Sequence, residues 1–440
     1  MNWSSRHVLV LGLARSGRAA VELLVRAGAR VEAYDRDPAA LAGLPAGVAA
    51  ASGASAPDFA RFDFVVASPG VPLAPHEKLV PEVDLAADFL DAPLVGVTGS
   101  NGKSTTTVLV GEMLRASGFD TGVGGNLGTP LCALVGRGHA RVVAELSSFQ
   151  LEHAKLLRAD VAVLLNLAPD HLDRHGSLAA YGAAKARLAE LQRPDAWLVV
   201  NRDDAWARAA GRRGPARALE FSTEARLGSG ACLDGKDLVL VRDGAVTLRL
   251  PQDALSAAAR RPIANALAAA LAASLAGATS EGIRAALESF EGLPHRVRDV
   301  AVRGGVRFVD DSKATNPAAA VASLLAQTSP VLWLAGGRNK GLDFAPLAEA
   351  ARRAGVREAI VFGESARELE RALAPGLAVI RVETLAQAVT RAAADARTGD
   401  VVLLAPACAS FDQFKNFEER GHCFAELARA LPDSAGGGAC

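Results

Sequence analysis

The stretch Leu94-Val95-Gly96-Val97-Thr98-Gly99-Ser100-Asn101-Gly102-Lys103-Ser104-Thr105 constrains this chain more than any other. An apolar run ends in a loop of small residues, then Gly-Lys-Ser. A helical pattern follows from Thr105 to Ala116, with Val108 and Met113 expected among its buried positions. That order builds a phosphate cradle. Glycines let backbone N–H groups turn inward, and the following helix presents its positive end to an anion. In such a loop Lys103 reaches the β- and γ-phosphates and the Ser104 hydroxyl sits on Mg²⁺, with Gly99, Ser100, Asn101, Gly102 and Thr105 completing the nucleotide site. The generic pattern wants Gly five residues before Gly102, but Val97 stands there, between Gly96 and Gly99. The plainer alternative is a glycine turn joining a strand to a helix.

A chain of 440 residues is too long for one core and predicts two to four domains. Its formal net charge is zero and it has no long basic block, which argues against nucleic acid or an anionic membrane as partner. Any anion must then be held by a local site. The five cysteines are scattered without metal-ligand spacing, which fits a reducing cytoplasm. The opening apolar stretch, Val8 to Leu13, runs straight into a glycine turn and reads as a strand rather than a secretion signal. Ile263 to Ala278 is mostly alanine, with Asn265 and Ser274 inside it, and reads as a buried helix rather than a membrane span.

In chain order, Val8-Leu9-Val10-Leu11 predicts a buried parallel strand. The turn Gly12-Leu13-Ala14-Arg15-Ser16-Gly17 leads into a helix over Ala19 to Ala27, and Arg30 to Tyr34 forms the next strand, ending at Asp35. This is a dinucleotide-type fingerprint with Ala14 at the second glycine. It leaves three readings open: a nicotinamide-dependent oxidoreductase, a close helix–strand packing turn, or a cradle for the diphosphate of a nucleotide-sugar. Phe62 to Ala67 predicts a strand before Ser68-Pro69-Gly70, and Pro93 sets a first domain boundary near Ala92. Arg141 to Glu145 reads as a strand ending in a carboxylate, which beside a phosphate loop is well placed for Mg²⁺. Val161 to Leu167 is a strand before Asp170-His171-Leu172-Asp173-Arg174, where a lone His is ordinarily a core or cap residue. Lys185, judged from its neighbours alone, is a surface helix lysine. Residues 195 to 250 read as short strands with hairpins hinted at Asp234-Gly235 and Asp243-Gly244. Strands at Val331 to Ala335, Ala359 to Phe362 and Val401 to Ala405 alternate with helices, so the loops after them converge on one sheet edge. The tail from Ser434 to Cys440 is expected to fray.

The phosphate loop, Asp170 to Arg174, Leu293-Pro294-His295-Arg296, Asp310-Asp311-Ser312-Lys313-Ala314-Thr315-Asn316-Pro317 and Ser410-Phe411-Asp412-Gln413-Phe414-Lys415-Asn416-Phe417 occur in an order that resembles the Mur ligases, the ATP-dependent amino-acid ligases of peptidoglycan synthesis. The match spans the whole chain and is nearest to the glutamate-adding branch. The resemblance implies an α/β fold of three domains. These are a Rossmann-like domain over 1–92 for the UDP moiety, a central P-loop ATPase-type domain over 93–292, and a Rossmann-like glutamate domain over 293–440. It implies that Arg15, Ser16, Asp35, Arg36, Ser68, Asn126 and His171 hold the UDP-linked substrate. Asn265 would meet adenine, Arg296 an ATP phosphate and Asp311 the ribose. Lys313, Thr315, Lys340, Ser410 and Phe417 would hold glutamate. Lys185 would be carbamylated and would ligate Mg²⁺ with Ser104, Glu145 and His171, giving two metal ions; Lys103, Glu145, His171 and Lys185 would be the catalytic set. Arg261 and Pro262 stand where the family has His-Asn, a departure from its pattern beside the nucleotide site, while Asn265 is retained for adenine.

The implied substrates are ATP, UDP-N-acetylmuramoyl-L-alanine and D-glutamate, joined through an acyl phosphate in the cytoplasm by a monomer. Closure of the last domain on nucleotide binding is expected, because ATP and glutamate contacts fall on opposite sides of Gly292. Two rivals remain at this point. A P-loop hydrolase leaves the first domain and the 410–417 run without a task, and an L-glutamate-adding ligase differs only in pocket shape.

Overall fold

In the computed structural model, residues 1–53, 55–72 and 76–433 are described; the 434–440 tail lies outside them. The chain forms two compact units. One comprises residues 1–167 and 179–291, the other residues 168–178 and 292–440.

The first unit holds two sheets. The N-terminal one is wholly parallel, in the order 49–52, 30–35, 7–11, 64–67, 79–81. The second has nine strands, in the order 245–251, 237–242, 230–234, 217–222, 197–201, 161–164, 94–98, 141–145, 121–125. Its five strands from 121–125 to 197–201 are parallel and run as buried apolar segments such as Val142-Val143-Ala144, as a sheet covered on both faces requires. Both hinted hairpins form, and the second turns on Asp243 (φ 51°) and Gly244 (φ 80°), the two left-handed positions that a tight hairpin turn needs. The two sheets share a core that includes Val8, Leu24, Leu85, Leu131, Leu146 and Leu188. Beside that core, buried Asp84 accepts backbone N–H groups from Lys155, Leu156 and Leu157 at 2.6–3.0 Å.

The helix after the phosphate loop spans Lys103–Ala116, two residues earlier than its apolar pattern suggested. Leu109, Val110, Met113 and Leu114 are buried on it, whereas Val108 is only half-buried. At 100° per residue Val108 falls beside the stripe formed by 109, 110 and 113 rather than within it. The first helix likewise begins earlier than expected, at Arg15, and the strand expected over Val161 to Leu167 closes at Leu164. Ile263–Leu275 is a buried helix, as its alanine-rich composition predicts.

The second unit has a six-stranded sheet in the order 298–303, 306–310, 401–404, 331–336, 356–362, 379–381, parallel except for its first pair. The strands at 306–310, 331–336, 356–362 and 401–404 send their carboxyl ends, and the loops after them, to one edge. Among the described residues, no helix is long and apolar enough to cross a membrane.

Gly17 explains the N-terminal turn. A Cβ there would lie 1.8 Å from the carbonyl oxygen of Gly12. Gly17→Ala is expected to destabilise the protein by about 1–3 kcal/mol through this clash, despite the ~1 kcal/mol helix advantage of alanine. Urea denaturation measures it, and an unchanged or raised midpoint would contradict the packing argument.

Candidate active site

In the first unit the site grows from the end of the strand Leu94–Thr98. Gly102 is left-handed (φ 84°), and a Cβ on it would meet the Asn265 amide oxygen at 2.3 Å. Glycine therefore lets the first turn of the helix Ile263–Leu275 press Asn265 against the phosphate loop. Asn166 clamps the same loop: its side-chain oxygen accepts the Asn101 N–H at 2.9 Å and its carbonyl accepts the Ser100 N–H at 2.9 Å. Lys103 Nζ donates to the Ser100 carbonyl at 2.8 Å, so the lysine is curled over the loop it serves.

Glu145 is 3% exposed at the end of its strand. Ser104 Oγ donates to one of its carboxylate oxygens, and Asn126 Nδ2 donates to the other at 2.8 Å. Three residues from three strand-end segments thus meet at one carboxylate. A hydroxyl and a carboxylate in contact at a helix N-terminus are hard oxygen donors of the kind Mg²⁺ takes. Lys185 is 1% exposed, which overturns its reading as a surface lysine. Its Nζ donates to the Gly99 carbonyl at 2.7 Å and lies 4.6 Å from the centre of the Tyr181 ring. The helix Leu178–Glu190 carries Tyr181, Gly182, Ala184 and Lys185 on its buried side, so small neighbours disguise that face in the sequence.

The candidates for the UDP-linked substrate divide. Asp35 accepts the Leu13 N–H at 2.6 Å and so holds the Gly12–Ser16 turn. Burial pushes its carboxyl up, but N–H groups of Leu13, Asp37 and Arg36 outweigh this and hold it below the usual range. Ser68 is buried against Gly12. Arg15 reaches the Gly128 carbonyl at 3.4 Å, in the loop that carries Asn126. Arg36 is exposed and Ser16 half-buried.

In the second unit, Asp170 is buried among Lys340 Nζ at 2.7 Å, Asn316 Nδ2 at 3.1 Å and His171 Nε2 at 3.7 Å. Burial would raise its pKa, but Lys340 and then His171 and Asn316 outweigh that and hold it below the usual carboxylate range. His171 itself takes φ 53°, a left-handed value uncommon for a side-chain-bearing residue. Lys313 Nζ lies 3.7 Å from the centre of the Phe417 ring. Phe417 is further fixed by its carbonyl, which accepts from Ser312 Oγ at 2.8 Å. Thr315 N–H donates to the Lys313 carbonyl at 2.8 Å. Ser410 is buried, and its carbonyl accepts the N–H groups of Gln413 and Phe414. Beneath these loops lies Arg420, 0% exposed, which donates to Ser312 Oγ (2.9 Å) and to the carbonyls of Ser312 (2.8 Å), Cys408 (3.1 Å) and Gly336 (3.3 Å).

No motif in the sequence assigns a role to Asp170, Asn316 or Arg420. The first two sit inside quoted motifs and had a signal in their neighbours. Arg420 had none, because an arginine in the first turns of an amphipathic helix ordinarily faces water.

Models of two Mur ligase segments match the chain: the Mur ligase middle domain over residues 97–273, and the Mur ligase glutamate ligase domain over residues 295–408. Fold and site together define an ATP-dependent peptide-type ligase, and the chain belongs to the Mur ligase family. It is 40% identical over 448 residues to the UDP-N-acetylmuramoylalanine--D-glutamate ligase of Desulfitobacterium hafniense, covering 98% of each chain. It is 44% identical over 449 residues to the enzyme of the same name from Anaeromyxobacter dehalogenans, covering 96% of this chain and 97% of that one. Among solved structures, a pseudomurein peptide ligase type C from Methanothermus fervidus superposes with a TM-score of 0.62 at 18% identity, over 91% of this chain and 96% of that one. MurF from Acinetobacter baumannii gives 0.61 at 20%, over 97% and 91%. These two likenesses establish the fold.

Asp311 supplies a test of the site's electrostatics. Burial and then the neighbouring Asp310 raise its carboxyl to about 6, against a lowering by Arg296. A folded pKa above the unfolded one means that the ionised form is penalised, so the residue costs stability above pH 6 and costs none below pH 4. Asp311→Asn is expected to stabilise the protein by up to roughly 3 kcal/mol at pH 8, with the gain vanishing toward pH 4. Thermal melts at the two pH values measure it, and a pH-independent difference would contradict the assignment.

Proposed function

We propose that this chain joins the amine of D-glutamate to the alanine carboxylate of UDP-N-acetylmuramoyl-L-alanine, driven by ATP, in the synthesis of peptidoglycan precursors. The observation that carries the reading is the meeting of Ser104, Asn126 and Glu145 at the mouth of the phosphate loop, in a chain about 40% identical over nearly its full length to ligases of that name. In this reading residues 1–92 hold the UDP moiety, 93–292 hold ATP and 293–440 hold glutamate.

A carboxylate resists attack by an amine because its leaving group would be oxide. Transfer of the γ-phosphoryl to the alanine carboxylate gives an acyl phosphate, whose leaving group is inorganic phosphate. The amine then attacks the carbonyl carbon, and the tetrahedral intermediate collapses with loss of phosphate. Lys103 lies across the triphosphate and offsets its repulsion of the incoming carboxylate, while backbone N–H groups of the loop bind phosphate oxygens. Ser104, Glu145, His171 and Lys185 in carbamate form would hold two Mg²⁺ ions, which when bound supply further charge neutralisation. Carbamylation joins the Lys185 nitrogen to the carbon of CO₂ with loss of two protons from the ammonium, one to free the nitrogen lone pair and one on forming the carbamate, and so converts a cation into an anionic oxygen ligand. Asn265 contacts adenine, Asp311 the ribose and Arg296 a phosphate. Arg15, Ser16, Asp35, Arg36, Ser68, Asn126 and His171 bind the UDP-linked substrate.

Lys313, Thr315, Lys340, Ser410 and Phe417 receive glutamate. In this arrangement Asp170 holds Lys340 until a substrate carboxylate arrives. Positioning the amine against the activated carbonyl contributes several kcal/mol of the acceleration.

Phosphate release with UDP-N-acetylmuramoyl-L-alanine and each glutamate enantiomer tests the reading. Turnover is expected with the D form alone. Lys103→Ala is expected to lower it at least ~100-fold, in the range of a lost transition-state charge contact. Turnover with L-glutamate would reassign the specificity, and turnover without any amino acid would make the chain a hydrolase. Intact mass of the native protein in bicarbonate tests Lys185. A gain of one CO₂ that disappears in Lys185→Arg is expected, and an unmodified mass in the active enzyme would remove the carbamate from the mechanism.

A further inference from the structure

An open groove of about 730 Å³ lies among the loops of the second unit, lined largely by exposed charged side chains, and none of the proposed substrate residues lines it. That volume lies within the roughly 300–1,000 Å³ of small-molecule sites. The groove sits beyond the carboxyl ends of the strands 331–336, 356–362, 379–381 and 401–404, where open parallel sheets bind ligands. Its walls are cross-tied. Glu364 N–H donates to Asp412 Oδ2 at 3.1 Å, Gln413 Nε2 donates to the Glu383 carbonyl at 2.7 Å, and Ser365 N–H donates to the Gly337 carbonyl at 2.9 Å.

The lining is charged and mixed in sign: Arg338, Arg367 and Arg381 face Glu364, Glu383 and Asp412. Some of these charges are already engaged. Arg338 pairs with Glu364 at 2.9 Å, Asp412 accepts the Glu364 N–H, and Arg381 lies 3.4 Å from Glu370. Among the described residues, the Arg367 and Glu383 side chains have neither an ion pair nor a hydrogen bond. One solvent-exposed guanidinium and one solvent-exposed carboxylate, neither paired within the chain, therefore line the same groove. A polyanion would satisfy Arg367 but meet three carboxylates. A ligand with both a carboxylate and an ammonium satisfies the pair.

We infer that this groove is a second binding site, for a zwitterionic amino acid or short peptide whose carboxylate pairs with Arg367 and whose ammonium pairs with Glu383. The site stands apart from the function proposed above, but its effect on catalysis rests on that reading. Arg367 lies on the helix Ala366–Leu373. Asn339, next to Lys340, is tied to the same segment, through its N–H to Ser365 Oγ at 2.8 Å and its Nδ2 to Glu368 Oε2 at 3.0 Å. Asp412 follows Ser410 by two residues. Occupancy is thus felt at two residues assigned to glutamate, and shifts the glutamate KM more than kcat.

Calorimetric titration of the full chain with L-alanyl-L-alanine tests the site, since this dipeptide is neither substrate nor product. Saturable binding is expected. Affinity should fall about tenfold or more when the dipeptide is N-acetylated or C-amidated, and equally in Arg367→Ala and Glu383→Gln, as for the loss of one charge-assisted contact. Lys340→Ala should bind it normally. Absence of saturable binding to the wild-type chain would overturn the proposal. So would binding lost in Lys340→Ala but kept in Arg367→Ala, or inorganic phosphate competing as well as the dipeptide. Thermal melts of the two charge variants, expected to match wild type, separate a lost contact from a lost fold. Binding that leaves the glutamate KM unmoved would keep the groove and overturn the coupling to Lys340 and Ser410.

Discussion

A carboxylate taken out of water must be repaid by hydrogen bonds and positive charge, and Glu145 sets that demand for the first unit. Its position at the carboxyl end of a parallel strand is fixed by pairing with the strand Leu94–Thr98, so the acid cannot drift from the phosphate loop. Ser104 and Asn126 each donate to one of its two oxygens, one from the helix after the loop and one from the segment after the strand Thr121–Gly125. The Asn126 backbone is held as well, because its N–H donates to the Glu145 carbonyl at 2.8 Å. Charge, hydroxyl and amide are therefore held together by the protein's own contacts, and in the proposed reaction none of them would have to be gathered.

The second unit solves the inverse problem with Arg420. Burial lowers its pKa to about 10, with Cys408, Asp412 and Asp310 opposing, so it remains a cation at neutral pH. Its charge is spread over four oxygen acceptors at the ends of three strands. Those acceptors belong to the loops bearing Lys313 and Ser410 and to Gly336 at the start of the loop bearing Lys340. One buried cation thereby sets the spacing of three loops that local sequence alone leaves free. His295 adds a further tie, its Nδ1 lying 2.6 Å from buried Asp310 and its ring 6.3 Å from that of Phe417.

Much of this was legible because it is local. The phosphate loop is written in consecutive residues, the strand-end position of Glu145 follows from one apolar run, and the hairpins follow from two Asp-Gly pairs. What was not legible depends on partners far along the chain. Lys185 is buried because alanines on its helix admit close packing, and the sequence shows only that it is surrounded by small residues. Asp170 meets Lys340 across 170 positions. Arg420 reads as a solvated residue until the sheet edge above it is known. Val108 is half-buried for the same reason, since the facing sheet chooses which stripe of a helix is buried.

In the proposed reaction the alanine carboxylate is phosphorylated before the amine attacks it. Supplying UDP-N-acetylmuramoyl-L-alanine labelled with ¹⁸O in that carboxylate, and analysing the phosphate released during D-glutamate addition, tests it most directly. One labelled oxygen per turnover should leave in the phosphate, because the bond broken in the second step is that between the carbonyl carbon and the bridging oxygen. Phosphate free of label, formed while amide accumulates, would mean that the amide forms without phosphorylation of that carboxylate.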